Sequence, residues 1–219
     1  MITRTKLHSI FDRIIDEGQS FYFDDTQRDG FLNDAQLAVF KSLYNPDAPS
    51  EAPGLTGYYE TSSKISQYLQ PFKKQISGTV ATAGVLTRAE VDALAGRTHF
   101  VISGLQLQYD GIDSFKGADW RTESEISAQI GMPFYMPSRC EPQFTIVDTG
   151  YNLYPEDIAP DFKCVALVYP LDISAAQDCE FPEALANQIA FKAAELAAMS
   201  TRDNDFLQFI RQEIEKIGV

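Results

Sequence analysis

Residues 182–199 read PEALANQIAFKAAELAAM, and this alanine-rich stretch decides what fold the chain can adopt. Pro182 suits a first helical turn, because the amide that proline lacks would have no partner there. Alanines cover most of the remaining faces and are small enough to let a second helix approach closely. A seam of other side chains repeats about every 3.5 residues, at Leu185, Ile189, Lys192, Leu196 and Met199. The stretch therefore predicts a helix packed within a bundle.

Helical patterns at both ends of the chain supply partners for this helix. Residues 3–45 predict an αα-hairpin, in which Asp24, Asp25 and Thr26 offer capping oxygens before the second helix. Residues 182–217 predict the C-terminal helices, which end in an amphipathic helix. The apolar positions recur at three- and four-residue steps and are Leu7, Ile10, Phe11, Ile14, Ile15, Phe31, Leu32, Ala35, Val39, Leu43, Tyr44, Phe206, Phe209, Ile210, Ile214 and Ile217.

Residues 60–172 form a β-rich middle. Capping boxes predict short helices that start at Thr87 with Glu90 and at Thr122 with Glu125. The predicted strands cover 74–82, 99–109, 143–147 and 163–169, the predicted helices cover 60–69, 86–96 and 120–130, and 45–57 is predicted to be a loop. We therefore predict an α+β fold, a single subunit over 1–219, with terminal helices packed as a helical bundle and a β-rich central insertion.

Composition and charge limit the classes of function. The 219 residues carry 31 acidic and 18 basic side chains, a net charge of −13, so nucleic-acid binding through a basic patch is not expected. Cys140, Cys164 and Cys179 contain no C-x-x-C pair, which argues against a zinc ribbon. The longest apolar run, 164–171, is too short to span a bilayer, and the N-terminus shows no signal-peptide run. We expect a soluble protein or a component of an assembly.

Catalytic signatures are almost absent from the sequence. The two histidines, His8 and His99, belong to no H-E-x-x-H motif, and neither a G-x-S-x-G motif nor a phosphate-binding loop occurs. For His99, a role as general base is weighed against a partly exposed structural role, which is the commoner one. Two carboxylates meeting in a cleft could hydrolyse a glycoside, but most such acids are solvated surface charge. We assign no catalytic, cofactor-binding or metal-binding residue.

One segment imitates a calcium loop. Residues 25–36 (DTQRDGFLNDAQ) place Asp25 and Asp29 at loop positions 1 and 5, followed by the glycine of an EF-hand. Gln27 and Gln36 replace the acidic ligands expected at positions 3 and 12, so calcium affinity should fall by orders of magnitude. We interpret the segment as a helix start whose acids favour the macrodipole.

Two stretches resemble a known family. Residues 31–44 (FLNDAQLAVFKSLY) resemble the LN-x-A-Q helix near the amino terminus of virion structural proteins of short-tailed bacteriophages, especially the crAss-like group. Residues 178–190 (DCEFPEALANQIA) resemble the C-E-L-P-E entry of these proteins into an alanine-rich helix. Between them, Trp120, the turn at 132–134 and the strand at 165–170 follow in the family's order, so the resemblance covers most of the chain.

The resemblance implies a non-enzymatic head-to-tail connector or adaptor. Such a protein forms a homo-oligomeric ring below the portal, twelve-fold by analogy, and contacts the portal protein and neighbouring neck and tail ring proteins. Genomic DNA would pass through the lumen without specific binding. The implied location is the virion neck or tail, after assembly in the host cytoplasm, with no membrane and no cofactor. The family works through interfaces, so no functional residue is carried over.

Charge and surface composition fit such a ring. Residues 141–190 hold nine acidic residues and one base, Lys163, a local sum of −8. A negative wall repels phosphate over a Debye length of about 8 Å, so we predict that part of this segment faces a ring lumen. Many exposed Tyr and Phe side chains are expected to let copies bury surface against each other. The alternative is a monomeric binding module or a small carboxylate-dependent hydrolase, whose helix seams only fill its own core.

Overall fold

A computed structural model of the chain describes residues 1–17, 23–44, 67–130, 132, 136–156, 159–201 and 204–217. The chain divides into two compact units, Met1–Pro71 with Pro170–Val219 and, separately, Phe72–Tyr169. The described part contains six α-helices and two four-stranded sheets, which confirms the α+β class. The predicted loop at 45–57 and most of the predicted helix at 60–69 lie outside the described residues.

The elements follow one another as helices, strands and helices again. In chain order they are α1 (Arg4–Glu17), α2 (Asp25–Tyr44), β1 (Lys73–Thr79), β2 (Val85–Thr87), α3 (Arg88–Ala95), β3 (His99–Gln108), β4 (Lys116–Gly117), β5 (Asp119–Trp120), α4 (Glu123–Ile130), β6 (Gln143–Val147), β7 (Gly150–Tyr154), β8 (Asp161–Val168), α5 (Ala186–Thr201) and α6 (Asn204–Ile217).

The alanine-rich helix α5 organises the terminal unit. It packs against α1, α2 and α6, so the terminal helices form the predicted bundle. The predicted close approach through alanines is confirmed, but the predicted seam is wrong in its second half, where Leu196 is only half-buried and Met199 is 55% exposed. Small side chains let the helix backbones approach, which leaves these larger ones beside the contact. The alanines that are buried are Ala186, Ala190, Ala193, Ala194, Ala197 and Ala198.

The α-helix begins slightly later than its proline suggests. Pro182 is extended, with φ −65° and ψ 151°, and precedes a 3-10 turn over Glu183–Leu185. The α-helical hydrogen bonding then begins at Ala186. Pro182 therefore sits at the cap position, rather than inside the first α-helical turn.

The central unit contains both sheets. The first has the order β1–β8–β3–β4 and is antiparallel throughout, so β8 lies between β1 and β3. The second has the order β2–β7–β6–β5, in which β5 runs parallel to β6. Alternate residues of β8 face the core, and these are Phe162, Cys164, Ala166 and Val168.

One extended segment carries the chain from the first sheet to the second. Residues 116–117 pair with β3 and residues 119–120 pair with β6. Between them the Ala118 amide donates to the Leu105 carbonyl at 2.8 Å. Helix α3 contacts β1, β3 and β8 of the first sheet and β2 and β7 of the second. It therefore packs between the two sheets near the strands β1 and β2.

Both predicted capping boxes are confirmed. Thr87 Oγ1 accepts from the Glu90 amide at 3.2 Å, while Glu90 Oε2 accepts from the Thr87 amide at 2.7 Å. Gly96 then ends α3 in the left-handed conformation, with φ 75°. At α4, Thr122 and Glu125 make the same exchange at 2.8 and 3.4 Å.

Two predictions about secondary structure in the middle of the chain are wrong. Helix α4 begins at Glu123, because Trp120 belongs to β5 and pairs with Phe144. Gly150, Pro155 and Pro160 predict a break between the strands at 143–147 and 163–169, yet Gly150–Tyr154 is the strand β7. Pairing with both β6 and β2 overrides the weak local preference of this segment.

Many exposed Tyr and Phe side chains are expected, but few of the described aromatic side chains are exposed. The largest fully buried side chains include Tyr109, Tyr151, Phe11, Phe40 and Phe72. Among the described residues, the exposed large aromatic side chains are those of Tyr44 and Trp120. Aromatic burial therefore stabilises the cores of this chain.

Candidate functional site

Residues 25–36 form a helix rather than a calcium loop. They lie within α2, where side chains two positions apart do not face each other, so loop positions 1, 3 and 5 cannot surround one ion. Asp24 Oδ1 accepts from the Gln27 amide at 2.8 Å, and Gln27 Oε1 accepts from the Asp24 amide at 3.1 Å. This exchange is a capping box, and the interpretation of the segment as a helix start is confirmed.

The acids of this segment bind bases on α1 and α2. Arg4 Nε lies 2.9 and 3.1 Å from the two carboxylate oxygens of Asp29, and His8 Nε2 lies 2.7 Å from Asp29 Oδ1. Arg28 Nη1 lies 3.0 Å from Asp25 Oδ1. The side chains joined in this way, here called the hairpin ionic cluster, are Arg4, His8, Asp12, Asp25, Arg28 and Asp29.

Asp29 is the centre of the hairpin ionic cluster. Burial raises the pKa of its carboxyl, but the hydrogen bonds from Arg4 and His8 favour the charged form. The net result is a pKa below the ordinary value of 3.8. Asp29 is therefore a charged structural partner at neutral pH and is unsuited to act as a proton donor.

A shallow depression of about 660 Å³ lies along α1. It is lined by Thr5, His8, Ser9, Asp12, Arg13 and Asp16, all on that one helix. Within the described ranges, no three His, Cys, Asp or Glu side chains are grouped so that they could hold a metal ion. The depression therefore brings together no catalytic set.

The central unit contains a chain of polar side chains that runs from Asp92, whose side chain is 32% exposed, to the buried His99 and Tyr151. His99 Nδ1 lies 2.5 Å from Asp92 Oδ1, and His99 Nε2 lies 2.7 Å from the Tyr151 hydroxyl. The backbone amide of His99 also donates to Asp92 Oδ1, at 2.7 Å. A carboxylate can only accept, so Nδ1 carries a proton, and in the neutral imidazole Nε2 then accepts from the Tyr151 hydroxyl. We call Asp92, His99 and Tyr151 the buried relay.

The buried relay has the order of an acid, a base and a hydroxyl, as in nucleophilic catalysis. His99 and Tyr151 are each only 2% exposed, however, so no substrate can reach the hydroxyl. Burial also raises the pKa of Tyr151 to about 12, which keeps the phenol protonated at neutral pH. The relay instead ties α3 to β3 and β7 and satisfies polar groups inside the core. His99 is thus structural, as expected, but buried rather than partly exposed.

The first stretch that carries the family resemblance holds the segment that follows β8. Asn33 Nδ2 donates to the Ile173 carbonyl at 3.2 Å, and Asn33 Oδ1 accepts from the Ile173 amide at 2.7 Å. Gln36 Nε2 donates to the Leu171 carbonyl at 2.8 Å. The leucine and alanine of the LN-x-A-Q pattern are fully buried. Each named position of the pattern therefore has an architectural role.

The second resembling stretch holds the same segment from the other side. Glu180 Oε2 accepts from the Leu171 amide at 3.0 Å. Cys179 exchanges two backbone hydrogen bonds with Ile2, at 2.9 and 3.0 Å, and Phe181 is fully buried. Burial raises the pKa of the Cys179 thiol to about 11, so this cysteine is unreactive at neutral pH.

The acids of 141–190 are divided between the two units. Some have structural roles: Asp178 Oδ1 accepts from the Arg4 amide at 2.8 Å, and Glu183 pairs with Lys6. Others extend into solvent, including Glu141 and Asp148. That part of this segment faces a ring lumen stays a prediction.

Sequence reasoning missed the partners of His99. Asp92 and Tyr151 lie on other elements, and local spacing does not relate them to a strand residue. Strand alternation would place His99 and Ile102, three residues apart, on opposite faces, and only the β-bulge between His99 and Val101 brings both to the inward face beside Val168 and Ala166 of β8. A polar side chain on a buried face requires a partner.

Comparisons with known proteins add no assignment. No protein-family model matches the chain, and no curated protein matches it in sequence.

In the described part of the chain, no helix combines the length and the hydropathy that crossing a membrane requires.

Proposed function

We propose that this chain is a non-enzymatic structural subunit of a phage virion, a head-to-tail connector or adaptor that forms a ring below the portal. The observation that carries the proposal is the convergence of the two resembling stretches, 31–44 and 178–190, on one segment. Gln36 binds the Leu171 carbonyl and Glu180 binds its amide. A pattern made of architectural residues suits a protein that works through interfaces.

The use of the reactive side chains supports the same proposal. His8 is hydrogen-bonded to Asp29, and His99 is enclosed between Asp92 and Tyr151. A histidine can act in catalysis only where a substrate can reach its ring. As whole residues, His8 is 8% and His99 is 2% exposed.

Assembly with a portal protein tests the proposal. The full chain, co-expressed with the portal of a crAss-like phage, is expected to form a ring that copurifies with it, visible by mass photometry and by cryo-EM. The twelve-fold symmetry of the analogy gives the expected copy number. A chain that stays strictly monomeric and does not bind the portal would contradict the proposal.

The same sample discriminates against the hydrolase alternative. Turnover of a glycoside or ester substrate that disappears on one Asp or Glu substitution would establish an enzyme. We expect no such turnover.

A further inference from the structure

The first sheet ends in a long and regular edge strand. The strands at the edges of the two sheets are β1, β4, β2 and β5. Strand β1 has seven residues, whereas β4 and β5 have two each and β2 has three. All of β1 pairs with β8 in one register, without a bulge and without a proline. Short strands, bulges and prolines protect native edges from further pairing, and β1 has none of these.

The hydrogen bonding of β1 shows which of its backbone groups face the open side. The Val80 amide donates to the Pro160 carbonyl at 3.0 Å, one pair beyond Thr79 and Asp161. Bonding alternates along an antiparallel ladder, so the even-numbered residues of β1 bond to β8 and the odd-numbered ones point their backbone groups away from it. Within the described residues, the backbone groups of Gln75, Ser77 and Thr79 have no partner on that side. The next odd-numbered amide, that of Ala81, donates to Glu90 Oε1 at 3.1 Å, which ends the open stretch.

The sequence of β1 is complementary to itself when it is read antiparallel. A second β1 would have to join odd-numbered residues to odd-numbered residues, because these carry the outward backbone groups. The register centred on Ile76 does so over the whole strand, and it places Lys73 opposite Thr79, Lys74 opposite Gly78 and Gln75 opposite Ser77. A register centred on Lys74 would oppose like charges, which is destabilising. The lysines therefore select one register and do not block the edge.

One side chain on each face of the sheet suits a second copy at this edge. Leu94 of α3 is 50% exposed, and its Cδ1 lies 3.2 Å from where a Cβ on Gly78 would be. The register puts Lys74 of the second copy opposite Gly78, where the aliphatic part of its side chain can cover Leu94. On the other face, Asp161 Oδ1 lies 2.5 Å from Thr79 Oγ1, so this carboxylate leans toward the edge. Lys73 of the second copy would lie opposite Thr79 and supply the complementary charge.

We propose that β1 pairs antiparallel with β1 of a second copy of this chain, centred on Ile76, and joins the two first sheets into one. The contact is isologous, because the same strand is used on both sides. It therefore differs from the head-to-tail contact that closes a ring, and the inference goes beyond the proposed function. One strand pair is a small interface, so we expect a weak dimer that depends on concentration.

A proline on the open side tests the pairing through the backbone. Ser77→Pro removes an amide that β8 does not use, and proline is tolerated on an edge strand whose N–H faces solvent. The variant should keep its circular dichroism spectrum and raise the dissociation constant of the dimer by about tenfold or more. Ser77→Ala is the matched control, because it removes the hydroxyl and keeps the amide, and it should dimerise as the original chain does. Analytical ultracentrifugation of the full chain over a concentration series measures all three.

Charges at one cross-strand pair test the register. Gln75→Glu with Ser77→Glu places like charges opposite each other in both halves of the dimer and should weaken it by about fivefold. Gln75→Lys with Ser77→Glu places opposite charges there and should dimerise at least as well as the original chain. Ser114→Glu with Ser127→Glu makes the same change in net charge as the first variant, on exposed serines elsewhere in the central unit, and should leave the dimer unchanged.

The outcomes separate this contact from the proposed ring. An original chain without dimers at the highest concentration measured, or dimers that Ser77→Pro leaves intact, would overturn the β1 pairing. Equal effects of the two Gln75 variants would overturn its register. Rings that form with the portal from Ser77→Pro as well as from the original chain, without any dimer, would overturn the pairing and leave the proposed function in place. A dimer that never forms a ring with the portal would support the pairing and contradict the proposed function.

Discussion

At the scale of single residues, most polar side chains that the sequence suggests as ligands or catalytic groups have structural roles. The glutamine at position 36 is the clearest case, since it stands where an EF-hand needs glutamate and is 1% exposed. Its amide nitrogen donates to the Leu171 carbonyl and to Asn33 Oδ1. A glutamate would offer only acceptors at that point.

Completing the calcium pattern should therefore damage the protein. We expect Gln36→Glu to lower the free energy of unfolding by about 1–3 kcal/mol, because a buried carboxylate would face a carbonyl oxygen. Gln27→Asp, at the exposed helix start, should fold normally. Denaturant titration measures stability, and calorimetric titration of the double variant should detect no calcium binding tighter than millimolar. Tighter binding would show that α2 can open into a loop.

The buried relay allows a second test at this scale. Tyr151→Phe removes only the hydroxyl and leaves His99 Nε2 without its donor, which should lower the free energy of unfolding by about 1–3 kcal/mol. Adding Asp92→Asn should lower it by less than the sum of the separate effects, because the two side chains act through one imidazole. Additive effects would mean that the relay is not coupled.

At the scale of elements, capping boxes predict helix starts well, whereas local signals predict sheet pairing poorly. The exchange between Thr87 and Glu90 is readable because both residues lie within one turn. The pairing of Lys73–Thr79 with β8 joins residues that are far apart in sequence, and no local pattern specifies it. The candidate site shows the same limit, since the resembling stretches are visible in the sequence but their meeting at Leu171 is not.

The missed strand β7 depends on close backbone contact at its first residue. A Cβ on Gly150 would clash with the Leu86 carbonyl oxygen and lie 2.8 Å from Thr87 Cα. Gly150→Ala should therefore force β2 and β7 apart and lower the free energy of unfolding by about 1–3 kcal/mol. Gly117→Ala is the matched control, because nothing lies within 4 Å of its Cβ position.

Thermal unfolding of the two glycine variants measures the difference. The Gly117 variant should stay within about 0.5 kcal/mol of the original chain. Equal effects of the two substitutions would place β2 and β7 farther apart than the structure has them.

At the scale of the whole molecule, several acids make stability depend on pH. Burial raises the pKa of Glu90, but hydrogen bonds from Thr87 and Ala81 hold it below its ordinary value, and Asp29 behaves likewise. A carboxyl with a lowered pKa adds stability above its unfolded pKa and loses that contribution as pH falls through its folded pKa.

We therefore expect the melting temperature to change little from pH 7 to about pH 5 through these groups and to fall steeply below about pH 4. The variant with Asp29→Asn and Glu90→Gln should be less stable at pH 7 and should show a flatter acid limb. Circular dichroism melts at several pH values measure both curves. If the melting temperature of the variant falls as steeply below pH 4 as that of the original chain, groups other than Asp29 and Glu90 cause the loss of stability in acid.

The chain order of the two units bears on how the protein is made. The central unit is one continuous stretch, Phe72–Tyr169, so all its strands are available soon after it leaves the ribosome. The helices α1 and α2 are synthesised before it, yet their main partner α5 begins only at Ala186. The apolar faces of α1 and α2 that α5 covers therefore stay exposed until the last helices are synthesised. During that time they are accessible to chaperones or to a neighbouring nascent chain. Closely spaced ribosomes on one messenger RNA would then bring the uncovered α1–α2 hairpin of one copy close to the folded central unit of the next.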